Sequence, residues 1–471
     1  MARLEESVYA IMAVMKKLAL IVLFSSVSPF LLGGPLDKAW LKGETDKNPV
    51  SYKTGETMKF TLSLVDAEKG IPEGEYFLEW KHTDDFGAVN KGRIPLKDMP
   101  FKYETSIAKP GFVRLEAYVV DKNGKHYVKE NVDDSATPSG RRPMNAFERR
   151  NRRIFFDGGA GAEIEKLMPS GEPADFDEFW KKQFARLDLV PIKADRIELP
   201  CKNPDVSLYA VRVDCAGLRP VTGYLSIPKD VEQGKTYSCR LITHGYSGDR
   251  CNHGAPSTAY GGGIVFTINA HGLKLPAFGA TDADTKALRW EVRSNGNTYA
   301  FDPKQNEDPE VAYFNGMVLR VKRALQYLKT VKGWNGRDLY ASGGSQGGLQ
   351  TIWAAGCGEG VTLAESGITW CCDMIRNNDR RARKISSDGW YIPWTPSMGY
   401  YDAAIFAKRI PRSCTTVVTR AGIGDYCCPP AGLAMMWNNM TCPKKIVWVQ
   451  GSQHGYVPPE YEGRDTVRTA D

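Results

Sequence analysis

The sequence predicts an α/β chain: a doubly wound, mostly parallel sheet preceded by a small all-β sandwich of the immunoglobulin-like kind. Three observations predict it. Between about residues 37 and 130, apolar and polar residues alternate in short runs. After residue 160, apolar strand-like runs alternate with amphipathic helical ones. Leu339 to Leu349 then joins one such strand to one such helix through Gly343-Gly344-Ser345-Gln346-Gly347.

The chain begins with a segment that reads as an export signal over residues 1–34. Lys16-Lys17 precede the apolar run Leu18 to Phe24, and three serines and Pro29 then break the apolar character. Glu5 and Glu6 are foreign to such a segment, which makes Met15 an alternative start. The expectation is a secreted or periplasmic protein with no membrane contact beyond that segment. At 471 residues, with 42% hydrophobic and 25% charged residues, the rest has ordinary globular composition and room for two domains.

Residues 37–130 supply the sandwich. Met58, Phe60, Leu62 and Leu64 alternate with polar neighbours, as do Tyr76, Leu78 and Trp80, and Val113, Leu115, Ala117 and Val119. Pro72-Glu73-Gly74 and Asp121 to Gly124 mark turns between them. Tyr76 and Trp80 could stack on sugars, but their place in alternating runs assigns them to the core. Residues 131–160 have linker composition and include Arg141, Arg142, Arg149, Arg150, Arg152 and Arg153, much of the net charge of +7. No aromatic interleaving accompanies these arginines, so no nucleic-acid partner is expected.

The second domain, 161–471, opens on Asp175 and Glu178, spaced as a capping pair for a helix whose Phe176, Phe179, Trp180, Phe184 and Leu187 share one face. Strands are predicted at Leu208–Val213, Val221–Ile227, Cys239–Thr243, Ile264–Ile268, Thr415–Thr419 and Lys445–Val449, with a long helix over Val311–Leu328. All eleven cysteines lie between Cys201 and Cys442 with no C-x-x-C pair, which argues against a zinc site or a disulfide scaffold.

Gly343, Ser345 and Gly347 fit G-x-S-x-G, in which the serine sits on a tight strand-to-helix turn. A hydroxyl is a weak nucleophile alone and needs a base and an acid. In α/β-hydrolases the chain order is serine, acid, histidine. Of six histidines only His454 follows Ser345, so it is the candidate base. Among the acids between them, Asp425 follows a strand and precedes a helix and the strand before His454; Asp373 is the fallback. The backbone N–H groups of Gln346 and Tyr246, the latter in the loop after Cys239–Thr243, are the candidate oxyanion donors. His244 and His253 lack a third ligand at helical or turn spacing, so no metal is expected.

Gly343 to Gly348, Gly424-Asp425-Tyr426-Cys427-Cys428-Pro429-Pro430, His454-Gly455 and Pro173 to Trp180 together resemble the acetyl xylan esterase and cephalosporin C deacetylase family. The resemblance spans roughly residues 158–460. It implies an α/β-hydrolase that deacetylates xylan or short acetylated sugars without metal or cofactor. It also implies Ser345, Asp425 and His454 as triad, with Tyr246 and Gln346 as donors. The family's Arg-Gly-Gln segment is replaced here by Asn269-Ala270-His271-Gly272-Leu273, and the sandwich lies outside the basic family domain. A homo-oligomer is an open expectation.

The leading expectation is therefore an exported serine carbohydrate esterase acting through an acyl-enzyme on acetylated xylan or oligosaccharide. A prolyl-oligopeptidase-like serine peptidase shares the fold and triad order, but its β domain is usually a longer, repeated propeller. An esterase on other small acetylated molecules shares the chemistry, and an inactive hydrolase scaffold is a further alternative. Trp370, Trp390, Tyr391, Trp394, Tyr400 and Tyr401 either wall the sugar path or form core.

Overall fold

The computed structural model describes residues 35–67, 74–129, 151–246, 263–375, 392–459 and 465–470. The export segment, His253, Trp390, Tyr391 and the arginines before Asn151 lie outside them. No helix among the described residues is long and apolar enough to cross a membrane.

Alternating runs become two antiparallel sheets. β1 (Trp40–Thr45), β2 (Met58–Val65) and β5 (Phe101–Thr105) form one; β4 (Val89–Pro95), β3 (Tyr76–Asp84), β6 (Gly111–Asp121) and β7 (Phe155–Ala162) form the other. Leu41, Phe60 and Leu62 from the first meet Leu78, Leu115, Ala117 and Phe156 from the second in one apolar core. Trp80 packs against that core and stacks on Phe101 at 5.4 Å, so the core assignment holds for it.

The linker expected over 131–160 is corrected at its end. Gly158-Gly159-Ala160-Gly161 is not a tether but the middle of β7, paired residue for residue with β6. Glycine reads as loop in a sequence, yet here it answers to close packing: a Cβ on Gly159 would overlap the Val113 carbonyl.

The second domain carries a ten-stranded sheet in the order β17-β16-β15-β14-β13-β11-β12-β10-β9-β8. β8 (Ala194–Leu199), β9 (Val206–Val213), β10 (Val221–Pro228) and β12 (Ile264–Ile268) pair antiparallel. From β12 through β11 (Tyr237–Thr243), β13 (Trp334–Gly344), β14 (Leu363–Gly367), β15 (Thr415–Gly422) and β16 (Lys444–Val449), every pairing is parallel. β17 (Asp465–Ala470) closes the edge antiparallel. Parallel strands end at one edge of the sheet, so the loops after β11, β13, β15 and β16 gather there.

The helices Tyr313–Leu328 and Gln346–Gly356 pack together over this sheet. The helix Phe176–Asp188 buries Phe176, Phe179, Trp180 and Leu187, with Phe184 partly covered. The expected capping pair does not form. Asp175 makes no side-chain cap, and its carboxylate takes the Tyr400 hydroxyl instead. Trp370, Tyr400 and Tyr401 are buried in the same core.

Candidate active site

The site starts with what two glycines permit. A Cβ on Gly343 would stand 2.6 Å from the Gly347 carbonyl, and one on Gly347 would stand 2.5 Å from the Thr243 carbonyl. Only residues without side chains let the strand, the turn and the loop after β11 approach so closely. Between them Ser345 adopts φ 57° and ψ −121°, a left-handed conformation for a residue with a Cβ. Its N–H donates to the Gly367 carbonyl at 2.9 Å, and its own carbonyl accepts from Leu349 at 3.0 Å and Trp370 at 3.1 Å. The turn is thus held from three sides, as strained functional residues must be. Ser345 stays half-buried at the N-cap of the helix Gln346–Gly356, where the helix dipole favours negative charge.

Asp425 follows β15 through a turn in which its N–H donates to the Gly422 carbonyl at 3.1 Å. One carboxylate oxygen accepts from the N–H groups of Cys427 and Cys428, each at 3.0 Å. Pro429-Pro430 then starts the helix Pro430–Asn439, where a missing N–H is harmless. The other oxygen faces Nδ1 of His454 at 2.9 Å. Asp425 is fully buried and His454 is 15% exposed. Burial is the largest single influence on His454 and lowers its pKa, but the Asp425 charge, its hydrogen bond and Cys427 together outweigh it and raise the pKa to about 8.

The acid that the imidazole meets is therefore Asp425. Asp373, the fallback, sits elsewhere: its N–H donates to the Asp402 carboxylate at 3.0 Å. Asp402 caps the short helix Ala403–Phe406, and burial with Asp373 nearby raises its pKa to about 7.

Tyr246 lies three residues past β11. Gly245 beside it borders Gly344, which sets this loop against the serine turn. The Tyr246 ring stacks on Tyr299 at 4.2 Å and meets the edge of Trp370 at 5.4 Å. Gln346 is buried, and its side-chain oxygen accepts from the Tyr299 hydroxyl at 2.6 Å. That leaves the Gln346 backbone at the helix start, where N–H groups have no intrahelical partner.

His244 has a role the sequence did not suggest. Its Nε2 accepts from the Ala270 N–H at 3.0 Å, which leaves Nδ1 to donate to the Gly245 carbonyl at 2.7 Å. Burial lowers its pKa and keeps it neutral. It is a bracket for the loop rather than a metal ligand. Asn269 braces the same region, accepting from His271 and Leu273. Only the placement of these residues beside the serine turn, not any spacing, could have revealed them.

Among the described residues, Cys427, Cys428 and His454 bring ligand atoms within 4.8 Å of one another, a donor set suited to a soft cation. Asp425 already engages Nδ1 of His454, and burial holds the Cys428 thiol well above its ordinary pKa. Among the described residues, Cys215, Cys239, Cys357, Cys414, Cys428 and Cys442 carry free thiols.

Comparison with known proteins agrees with this architecture. Residues 162–383 match the acetyl xylan esterase (AXE1) family, a span that takes in Ser345 and ends before Asp425 and His454. An acetyl esterase, Axe7A, from Xylanibacter ruminicola is 26% identical over 419 residues, covering 86% of this chain and 84% of that protein. An acetyl xylan esterase from Paenibacillus sp. R4 superposes with a TM-score of 0.51 at 24% identity, over 63% of this chain and 94% of its own. Acetyl xylan esterase 1 from Thermoanaerobacterium sp. JW/SL YS485 gives the same TM-score and coverage at 17% identity. These two likenesses establish the fold.

Proposed function

We propose that this carboxylic ester hydrolase, with residues 162–383 in the acetyl xylan esterase family, removes O-acetyl groups from xylan or xylo-oligosaccharides outside the cytoplasm, using Ser345 as nucleophile. The observation that carries the reading is the Asp425–His454 pair, 2.9 Å apart at the sheet edge where β13 delivers Ser345.

The chemistry proposed for these residues is acyl transfer through the serine. His454 takes the Ser345 proton at Nε2 as Oγ adds to the acetyl carbonyl. The carbonyl oxygen becomes an oxyanion and accepts from the backbone N–H groups of Gln346 and Tyr246. His454 returns the proton to the departing sugar oxygen, leaving Ser345 acetylated. Water, deprotonated by His454, then cleaves that ester and releases acetate. Asp425 holds the imidazole in the Nδ1–H tautomer and stabilises its charged form.

Export is supported by Lys16-Lys17 and the apolar run after them. Acetate as the acyl group is supported by the related acetyl esterase. Against the peptidase reading stands the β domain, seven strands in two sheets among the described residues, with no blade repeat.

Acetate release should be measured on acetylated xylan, an acetylated monosaccharide and a proline peptide side by side. The reading expects xylan or its oligomers to lead and the peptide to remain intact; peptide cleavage without acetate release would overturn it. Ser345→Ala should abolish aryl acetate turnover with an unchanged circular dichroism spectrum.

A further inference from the structure

We propose that the all-β domain supplies positioning residues to the hydrolytic site: Asp157, clamped by Arg114, holds the loops that carry His454 and Asp425. The proposal rests on the triad assignment and adds a second domain to it.

Both loops are flanked on each side by residues 151–159 or their clamp. On the His454 loop, the Gln453 side-chain amide donates to Asp157. Gln450 donates to the Gly159 carbonyl at 2.8 Å and accepts from its N–H at 3.0 Å. Past the histidine, Asn151 reaches the Gly455 carbonyl at 3.4 Å, and Phe155 packs on Tyr456 at 4.6 Å. On the Asp425 turn, a Cβ on Gly424 would overlap the Asp157 carbonyl, and the Tyr426 ring lies 4.2 Å from the Arg114 guanidinium. The Gly424 N–H donates to the Ser452 carbonyl at 3.1 Å and ties the two loops together.

Asp157 is fully buried and Arg114 is 3% exposed. Arg114 Nε and a terminal nitrogen meet the two carboxylate oxygens at 2.8 and 2.6 Å, a two-pronged pairing of fixed geometry. Glu116 adds a second carboxylate 3.0 Å from Arg114. Burial opposes the Arg114 charge, but Asp157 and Glu116 together hold its pKa well above the ordinary value, so the guanidinium stays charged. Buried ion pairs contribute little net stability compared with apolar packing of the same volume. What this one provides is direction: a fixed carboxylate aimed at the side chain next to His454. Misplacing a catalytic group by about 1 Å can lower a rate on the order of 10²-fold.

The test uses the full chain with two variants. Gln453→Leu removes the amide while leaving the ion pair whole; Asp157→Asn removes the charge. Steady-state kinetics on an aryl acetate, thermal midpoints and pH profiles are recorded for each beside Ser345→Ala. The groups facing the imidazole are Asp425, Cys427, Cys428 and Arg420; those facing Asp157 are Arg114, Glu116 and Tyr426. Gln453→Leu should lower kcat roughly tenfold with KM within about twofold, and move the acid limb of kcat/KM to lower pH as the Asp425 contact loosens. Should Asp157→Asn fail to fold, Gln453→Leu decides alone. Wild-type kcat and pH profile in Gln453→Leu would overturn the proposal, as would a loss matched by the loss of folded protein. If Ser345→Ala retains activity, the triad reading fails instead.

Discussion

His454 is buried beside a carboxylate, and two opposing effects act on its titration. Burial favours the neutral ring; Asp425 and Cys427 favour the charged one and together prevail, raising the pKa to about 8. A general base must be neutral before attack, so kcat/KM on an aryl acetate should rise with pH through a midpoint near 8. Asp425→Asn removes the opposing charge, leaving burial to carry the midpoint below the ordinary histidine value of about 6.5. The same substitution should lower kcat on the order of 10⁴-fold, because the amide cannot hold the required tautomer. A pH series on both proteins checks both expectations. The sign for stability is the reverse of that for activity. A pKa raised on folding stabilises fully below about 6.5, and that contribution is lost as pH rises through about 8.

The serine turn is an element built from absences. Since Gly347 faces the backbone of Thr243 and His244, Gly347→Ala should destabilise by about 1–3 kcal/mol and misplace the hydroxyl. Denaturant melts and aryl acetate kinetics on one preparation would show the two losses together. This turn was legible because its glycines, its strand and its helix are contiguous, and the histidine because one alone follows the serine. Ile264–Ile268 was likewise predicted at its observed bounds, a β-branched run bounded by glycine. Leu363–Gly367 was not, since Leu-Ala-Glu-Ser-Gly has no strand character and owes its conformation to neighbours on both sides. Asp175 had the spacing of a cap and was instead claimed by Tyr400, a residue 225 positions away. Local pattern cannot weigh a partner so distant. The His244 bracket and the Arg114–Asp157 clamp escaped for the same reason.

At the scale of the molecule, the two domains are not independent bodies. Val50 and Phe112 join the core of the hydrolase, and Phe112 meets Trp448 at 5.6 Å. Removing residues 35–162 would uncover that apolar surface and release both loops after β15 and β16. Such a truncation should lose acetate release and soluble yield together, checked by size-exclusion chromatography and assay on the purified fraction. β7 adds one more consequence. It pairs with β6 over eight residues yet is joined covalently to the hydrolase, while β1 to β6 precede the interval between 129 and 151. A backbone cut in that interval would not part catalyst from accessory module; the halves would remain zipped along a shared ladder. Cleaved enzyme should therefore run at its original size until denaturant opens the seam, and a gene split there should yield two polypeptides that reassemble into one working esterase.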